Sequence, residues 1–469
     1  MKNQKSRFPS LLVVSLIGVL ALVGCNPSGD SSSDTTSGSS YSEEPPINEY
    51  EGNLLEHEAS ITFWHTMGAA NRAVLDQMIT GFNAIYPNIT ITHASQGDYD
   101  ALRDKVSAAI PAGTTPTMAY CYPDHVADYM SAGAIQNLNP YINSTIFGLG
   151  LEDDPTLAGP VSDFIPGYWQ EGREYMTPGT YSVPFSKSTE LMFYNKTFFD
   201  AHSLTVPTSW EQLIAVARQI KTIDPSSTPF GYDSDANWFI TLCEQMGIPY
   251  TSLNADEHFL FNNDQAKDMV EMIKGWYDEG LITTQGSSPN NAYTSTQFTE
   301  GKLYMTVGST GGTRYNFSTN FEVGVAAVPQ YQGSTKIISQ GPSITVFKRA
   351  TDAEKIAAWL FYKWISNTRN SAVYSVLSGY NPVRSSSFET DVYTTNRVVT
   401  PGTESELIAD VAAFVPAIED WYFVSPAFKG SSTAREEVGG ILANVLLGLK
   451  SIDDAFYDAL VACVFSSEE

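Results

Sequence analysis

Strand-like and helix-like segments alternate along the first third of the sequence, and this order limits the possible folds more than any other feature. Short β-rich runs give way to apolar residues at helical spacing and back again over residues 61–64, 73–86, 89–91, 102–110 and 118–122. A β-α-β-α-β order predicts a parallel sheet whose crossovers are helices. In such sheets, ligands bind beyond the carboxyl ends of the strands.

A second α/β body is predicted downstream. Its predicted strands are 189–194, 303–307, 323–328 and 344–347, and its predicted helices are 210–220, 266–277, 353–366 and most of 408–460. The length of 469 residues fits about two or three domains with sizeable cores. The chain is therefore expected to be an α/β protein with more than one body.

The N-terminus has the layout of an export signal. Basic residues precede an apolar run at 11–23, and Leu22-Val23-Gly24-Cys25 resembles the lipobox of bacterial lipoproteins. We predict a signal peptide over 1–24, acylation of Cys25 and a disordered Ser/Gly-rich tether over 25–57. The expected location is the bacterial cell envelope, on the periplasmic or extracellular face of a membrane. An ordinary cleaved signal with a chance cysteine is the alternative.

The charge balance excludes some classes of protein. The chain has 26 basic and 52 acidic residues, for a net charge of −26. Nucleic-acid binders need clustered Lys and Arg, and anionic lipid headgroups also attract cations. Apart from Cys25 there are three cysteines, and we predict Cys121, Cys243 and Cys463 to be small buried apolar residues.

Motifs for catalysis, metals and cofactors are missing from the sequence. The histidines lack the spacing of a helical zinc site, and phosphate-binding and nucleophile motifs are absent. Asp233, Asp235, Asn237 and Glu244 match calcium-loop positions, but Trp238 stands where the loop needs Gly. We therefore expect no cofactor and no metal. A pair of glycosidase acids stays open, because such a pair forms only in space.

Aromatic, hydroxyl and amide residues collect where the predicted strands end. Trp64, His65, Tyr122 and Asp124 are at such ends. Aromatic rings can cover the C–H faces of a sugar, and polar groups can bond its hydroxyls. These residues are candidates for a sugar or polyol site.

Short motifs along the whole body occur in the order of one known family. They are ITFWH at 61–65, FNAIYPNI at 82–89, AGTTP at 112–116, GAIQNL at 133–138, VPFS at 183–186, YNK at 194–196, PTSW at 207–210, FTEGKLYM at 298–305 and GYNPV at 379–383. From about residue 61 to residue 460 the chain resembles family 1 extracellular solute-binding proteins, the receptors of bacterial ABC sugar importers. Within the family it most resembles the glycerol-3-phosphate-binding branch.

That resemblance implies further site residues. By matching position, the ligand contacts would be Tyr99, Ser188, Ser309, Gly341 and Tyr380, and Trp238 is similar to the branch's pocket tryptophan. The branch's acidic contact falls on a proline next to Asp124. Its late phosphate-holding arginine falls near Lys429, which lacks the bidentate fork of Arg.

The resemblance also implies a two-lobe periplasmic-binding-protein-like fold with hinge-crossing strands and an interlobe ligand cleft. The expected N-terminal lobe is 58–186 plus 340–367, and the expected C-terminal lobe is 187–339 plus 368–465. The crossings are expected near Ser186, Gln340 and Asn367. Ligand would bridge the lobes and favour the closed form.

The expected function is a lipid-anchored, non-enzymatic and monomeric ABC-importer receptor for a neutral sugar, oligosaccharide or polyol. Its expected partners are that ligand and the importer's transmembrane subunits, with membrane contact through the lipid only. The first alternative is a receptor for glycerol-3-phosphate or a glycerophosphodiester. An anchored glycan hydrolase and a surface adhesion protein are the others, and an absent cleft would favour adhesion.

Overall fold

The computed structural model describes residues 44–151, 159–395 and 399–468. The predicted signal peptide, Cys25 and the tether up to residue 43 lie outside these residues. The described strands are β1 (Ala59–His65), β2 (Ile89–Ser95), β3 (Met118–Cys121), β4 (Val183–Pro184), β5 (Ser188–Asn195), β6 (Phe230–Tyr232), β7 (Ile282–Thr284), β8 (Met305–Ser309), β9 (Val323–Ala327), β10 (Ile337–Gln340), β11 (Ser343–Val346) and β12 (Tyr422–Phe423).

The helices alternate with the first three strands, as the sequence predicts, and helices predominate after β11. They are α1 (Ala69–Asn83), α2 (Tyr99–Ala112), α3 (Pro123–Ser131), α4 (Asn139–Ile142), α5 (Pro166–Glu171), α6 (Lys196–Ala201), α7 (Trp210–Ile223), α8 (Asp235–Met246), α9 (Asp264–Asp278), α10 (Thr294–Thr299), α11 (Asp352–Ile365), α12 (Thr368–Ser378), α13 (Asp391–Thr394), α14 (Glu404–Phe414), α15 (Ser431–Leu446) and α16 (Ile452–Glu468). Short 3-10 helices cover Leu54–Glu56, Val161–Asp163, Pro289–Asn291, Thr310–Asn316, Ser385–Glu389 and Val415–Trp421.

The first sheet has the strand order β2-β1-β3-β11-β4. Strand β1 runs parallel to both β2 and β3, and α1 and α2 supply the crossovers, which confirms the predicted parallel arrangement. Strand β11 is antiparallel to its neighbours β3 and β4. Buried side chains from this sheet and from α1–α3 and α11 form one hydrophobic cluster, and we call this body the first lobe.

The second sheet has the order β12-β10-β5-β8-β6-β7, with β9 also paired to β5. Strand β5 is antiparallel to β8, β9 and β10, whereas β6 is parallel to β7 and β8. Helices α7, α8, α9 and α15 pack on it and form a separate hydrophobic cluster. This body is the second lobe.

Two chain segments cross between the sheets side by side. Residues 185–187 join β4 to β5, and Gly341-Pro342 joins β10 to β11. The amide of Ser186 donates to the carbonyl oxygen of Pro342 at 3.2 Å. Gly341 has a φ of +80°, and a Cβ there would lie 2.1 Å from the Ser186 carbonyl oxygen. Only glycine allows both that backbone conformation and this close approach.

A buried ion pair joins the same two crossings. The Nζ of Lys187 lies 2.6 Å from Glu171 Oε2 and 2.6 Å from the Gly341 carbonyl oxygen. The hydroxyl of Ser339 donates to the same carboxylate oxygen at 2.8 Å. Burial lowers the pKa of Lys187, and Glu171 opposes that shift. The charges of Lys187 and Glu171 are therefore stabilised by each other and by hydrogen bonds from Ser339 and to Gly341.

The chain does not pass to the second lobe directly after α11, where the third crossing is expected. Asn367 caps α12, and Tyr374 and Val383 still pack in the first lobe. Leu407 then packs in the second lobe. Asn367 thus joins two helices of one lobe rather than two lobes. The exact lobe limits given above stay predictions.

The body also begins earlier than the predicted end of the tether. The amide of Ile47 donates to the carbonyl oxygen of Pro140, and the carbonyl oxygen of Ile47 accepts from the hydroxyl of Ser144. The buried His57 forms a hydrogen bond with the carbonyl oxygen of Ala353 at 2.8 Å. Residues 44–57 pack here because Ile47, Tyr50 and Leu54 supply apolar contacts to the first lobe. These three apolar residues are widely spaced in a mostly polar segment, so the composition alone did not predict that the segment packs.

The remaining expectations concern cysteines and membrane spans. Cys121, Cys243 and Cys463 are free and buried, which confirms the predicted burial. Among the described residues, no helix has both the length and the apolar character needed to cross a bilayer.

We predict that Lys187→Ala lowers the free energy of unfolding by about 3–5 kcal/mol, because it leaves the Glu171 carboxylate buried without its cation. Urea denaturation measures this loss. Lys196→Ala is the matched control, since Lys196 pairs with Asp200 at the surface and its loss should change the stability far less. Equal losses in the two variants would contradict the assigned role of the buried pair.

Candidate functional site: a tyrosine-rich cavity between the two sheets

A cavity of about 750 Å³ lies between the two lobes, beside the crossings. Its walls bring together most of the residues predicted from sequence. These are Tyr99, Tyr122, Asp124, Ser188, Ser309, Gly341 and Tyr380. Their contact with a ligand stays a prediction.

The first lobe contributes the starts of two helices. Asp98 caps α2 by accepting from the amide of Ala101 at 2.9 Å, which places Tyr99 at the first helical position. Tyr122 follows β3, and Pro123 begins α3. The rings of Tyr99 and Tyr122 meet edge to face with centroids 4.9 Å apart. Burial raises the pKa of both phenols, so both remain neutral donors.

The second lobe contributes strand ends. Ser188 begins β5 and Ser309 ends β8, and the Ser309 hydroxyl donates to the Ser188 hydroxyl at 3.2 Å. Asp233 follows β6 and accepts from the hydroxyl of Thr294 at 2.8 Å. These side chains meet at one edge because parallel strands β6 and β8 end there.

A buried carboxyl lines the cavity on β5. Glu190 Oε1 accepts from Asn237 Nδ2 at 2.7 Å and from Gln340 Nε2 at 3.1 Å, and Tyr232 donates to Oε2. Burial raises the pKa of Glu190 to about 7, although these donors and Arg435 oppose the shift. Burial therefore disfavours the charged form of this carboxyl.

Arg435 is a cation of the cavity wall. It lies in α15 and donates to Asn237 Oδ1, so Asn237 links the guanidinium to Glu190. Lys429, the predicted late cation, lies outside the cavity lining and precedes α15. The helix that begins after Gly430 places Arg435 of its second turn in the cavity lining, and a ligand contact of Lys429 stays a prediction.

Polar contacts also connect the lobes across from the crossings. Arg103 of α2 pairs with Glu436 of α15 at 3.0 Å. Asp128 of α3 accepts from the Ser432 hydroxyl at 3.2 Å and from the Gly430 amide at 3.4 Å. Side-chain contacts therefore join the lobes in addition to the backbone crossings.

Trp238 occupies the core of the second lobe rather than the cavity wall. It is fully buried, and its ring stacks on Tyr232 with centroids 5.2 Å apart and an 11° angle between planes. Ser234 caps α8 and Asn237 faces Glu190, and one further residue turns the helix by about 100° toward the core. The structure therefore places Trp238 among core packing residues, and its role as a stacking platform for a ligand stays a prediction.

Trp64 and His65 also lie outside the cavity lining. His65 is buried, accepts from the Met67 amide at 3.1 Å and bonds His93 at 2.9 Å. Burial lowers the pKa of His65 to about 4, with His93 and Arg72 adding to the shift. This histidine is a neutral structural group near the end of β1.

Several lining residues were missed by sequence reasoning. They are Glu171, Glu190, Asp233, Asn237, Tyr250, Tyr293, Tyr315 and Arg435. The sequence pattern relates Asp233 and Asn237 only to a calcium loop. The starts of α8 and α10 were the available signal, since polar residues at helix starts after strands commonly face a ligand site in α/β folds.

Comparison with known proteins places the chain in a family. Residues 77–400 match the family model described as "Bacterial extracellular solute-binding protein". The chain belongs to this family. Members are exported, so the protein acts in the periplasm or outside the cell as a solute receptor.

The curated relatives include sn-glycerol-3-phosphate-binding periplasmic proteins. That of Agrobacterium fabrum is 24% identical over 342 residues, which cover 70% of this chain and 75% of the relative. That of Escherichia coli K12 is 24% identical over 350 residues, with the same coverage.

Solved structures show the same two-lobe fold. The GacH receptor of Streptomyces glaucescens has a TM-score of 0.68 at 20% identity, covering 88% of this chain and 100% of that one. UgpB from Mycobacterium tuberculosis, in complex with glycerophosphocholine, has a TM-score of 0.68 at 17% identity, covering 88% and 99%. The sugar-binding protein MalE from Xanthomonas citri has a TM-score of 0.69 at 17% identity, covering 87% and 97%. The expected fold class is confirmed.

We predict that Trp238→Ala lowers the free energy of unfolding of the ligand-free protein by about 3–5 kcal/mol, because it opens a cavity in the second-lobe core. Chemical denaturation measures the loss, and Trp238→Phe, which keeps an aromatic ring, should cost less. A variant with unchanged stability and weakened saccharide binding would restore the stacking role.

Proposed function

We propose that this protein is the receptor of an ABC importer, and that it binds a neutral saccharide or polyol in the cavity. It delivers the ligand to the importer's membrane subunits without changing it chemically. Family membership supports the receptor role, and the sugar-binding proteins among its structural neighbours support this class of ligand.

The wall chemistry of the cavity carries the proposal. Six tyrosines line it, namely Tyr99, Tyr122, Tyr250, Tyr293, Tyr315 and Tyr380. Carboxyl groups of Asp124, Glu190 and Asp233 stand between them. Aromatic faces suit the C–H faces of sugar rings, and carboxylates accept hydrogen bonds from hydroxyls. A strongly anionic ligand would meet these acids at short range.

Binding would act through closure of the two lobes. A ligand that touches Tyr99 on one wall and Ser188 and Ser309 on the other favours the form in which the walls are close. The pairs Arg103–Glu436 and Asp128–Ser432 would stabilise the closed form together with the ligand. The importer would recognise the closed form.

A phosphate ester is the second candidate, and Arg435 favours it. A guanidinium in the cavity can bind phosphate through two parallel hydrogen bonds. However, Asn237 already accepts from Arg435, and Glu190 lies beyond Asn237. We therefore assign Arg435 to hydrogen bonds with neutral hydroxyls, while its charge is balanced by the nearby acids.

Calorimetric titration should detect binding of a neutral oligosaccharide and none of sn-glycerol-3-phosphate or glycerophosphocholine, because the wall carries more acids than cations. Arg435→Gln tests the cavity cation, and Lys429→Ala is the matched control outside the lining. Micromolar phosphate-ester binding that Arg435→Gln abolishes and Lys429→Ala keeps would establish the second candidate instead.

We also propose that a lipid on Cys25 anchors the protein, with the importer subunits as its partners in the membrane. Support comes from the sequence Leu22-Val23-Gly24-Cys25 after an apolar run. Acyl chains would supply about 0.8 kcal/mol per buried CH₂ group.

Mass spectrometry of the mature N-terminus should find an acylated Cys25, and Cys25→Ala should release or misprocess the protein, because the acylated thiol is lost. Cys243→Ala, which leaves the N-terminus intact, serves as a control for loss of a thiol. An unmodified Cys25 or cleavage at another position would contradict the anchor.

A further inference from the structure

Two tyrosines of the cavity are unusually exposed. Tyr293 is 58% exposed and Tyr315 is 70% exposed, yet both line the cavity. The other four lining tyrosines, Tyr99, Tyr122, Tyr250 and Tyr380, are more enclosed. Tyr293 and Tyr315 therefore form its outer part, which we call the tyrosine rim.

The backbone around Tyr293 is fixed on both sides. Before it, Asn290 and Asn291 both have positive φ values, of 58° and 52°, and Gln285 donates to the Asn291 carbonyl oxygen at 3.3 Å. After it, Asp233 accepts from the hydroxyl of Thr294 at 2.8 Å. Two consecutive left-handed residues other than glycine are strained, and such strain is commonly kept at binding sites.

Tyr315 is held in a similar way. It lies in the 3-10 helix Thr310–Asn316, which is longer than most helices of this type. Thr313 donates its hydroxyl hydrogen to the Thr310 carbonyl oxygen at 2.6 Å, and the Ser309 hydroxyl caps the helix. The ring is thus exposed on a fixed backbone.

A polar group accompanies the rim. Asn316 is 1% exposed and lines the cavity, and its Oδ1 has no hydrogen-bond partner among the described residues. A buried amide oxygen without a partner costs free energy that a ligand donor would recover. A ligand that extends from the cavity to the rim could supply such a donor, because Asn316 lines the cavity and Tyr315 its outer part.

We propose that the tyrosine rim is an outer subsite for pyranose rings, and that the ligand is an oligosaccharide with rings both inside the cavity and at its rim. This inference rests on the proposed saccharide function and narrows it. A single polyol, a monosaccharide or a small phosphate ester could occupy the inner residues alone. Each of these small ligands would leave the exposed rings of Tyr293 and Tyr315 uncovered. A cavity of about 750 Å³ is within the size range of pockets that hold ligands much larger than a monosaccharide or a polyol.

The test uses the mature full-length protein on a glycan array of neutral mono- to hexasaccharides, followed by calorimetry with the strongest binder and its shorter homologues. Tyr293→Ala and Tyr315→Ala should each weaken binding of the longer glycan about five- to tenfold, and should affect the shorter homologues less. Tyr293→Phe and Tyr315→Phe should keep most of the affinity, because the stacking face remains.

Tyr457→Ala is the matched control. Tyr457 is 64% exposed on α16, away from the cavity, so its removal should change neither binding nor stability. All four alanine and phenylalanine rim variants should unfold at the wild-type urea concentration, since the rings are exposed. Loss of affinity can then be attributed to the rim itself.

Two results would overturn the subsite while leaving the saccharide function in place. One is a wild-type protein that binds monosaccharides as tightly as longer glycans. The other is unchanged oligosaccharide affinity in both alanine variants. If the wild-type protein binds no neutral glycan but binds a phosphate ester, the proposed function fails together with the subsite.

Discussion

The two lobes are joined by adjacent backbone crossings, and the Glu171–Lys187 pair holds these crossings together. The pair is buried, and Lys187 also bonds the Gly341 carbonyl oxygen. Such a pair is a weak source of stability but a demanding geometric constraint, because either charge alone would be costly. Strands β5 and β10 begin and end at this point, so the position of Ser188 and Gln340 on the cavity wall depends on it.

The cavity combines rigid and separable parts. Side chains from β5, β8 and β10 belong to one hydrogen-bonded sheet, and their relative positions are fixed by strand register. Tyr99 and Tyr122 belong to the other lobe and line the cavity from its side. Contacts between helices, such as Arg103 with Glu436, are exposed and individually weak. With this distribution, the proposed ligand would contribute a large share of the free energy that holds the walls together.

Sequence reasoning predicted the fold well because strand and helix periodicities are local. It placed β1–β3 and α1–α2 within a few residues, and motif order supplied Tyr99, Ser188 and Ser309. It failed where the orientation of a side chain determines whether that side chain faces the cavity or the core. Trp238 precedes Phe239 and Ile240 on a helix buried nearly all round, and that run was the available signal for a core position. Arg435 and Tyr315 could not be placed, since a helix start and an irregular loop do not reveal which side chain faces a cavity.

The three buried thiols have a consequence for an exported protein. Burial raises the pKa of Cys121, Cys243 and Cys463, so each sulfur stays protonated and is shielded from attack. Thiol–disulfide exchange requires an accessible thiolate. The folded body therefore keeps these thiols out of reach of the oxidising enzymes of the cell envelope.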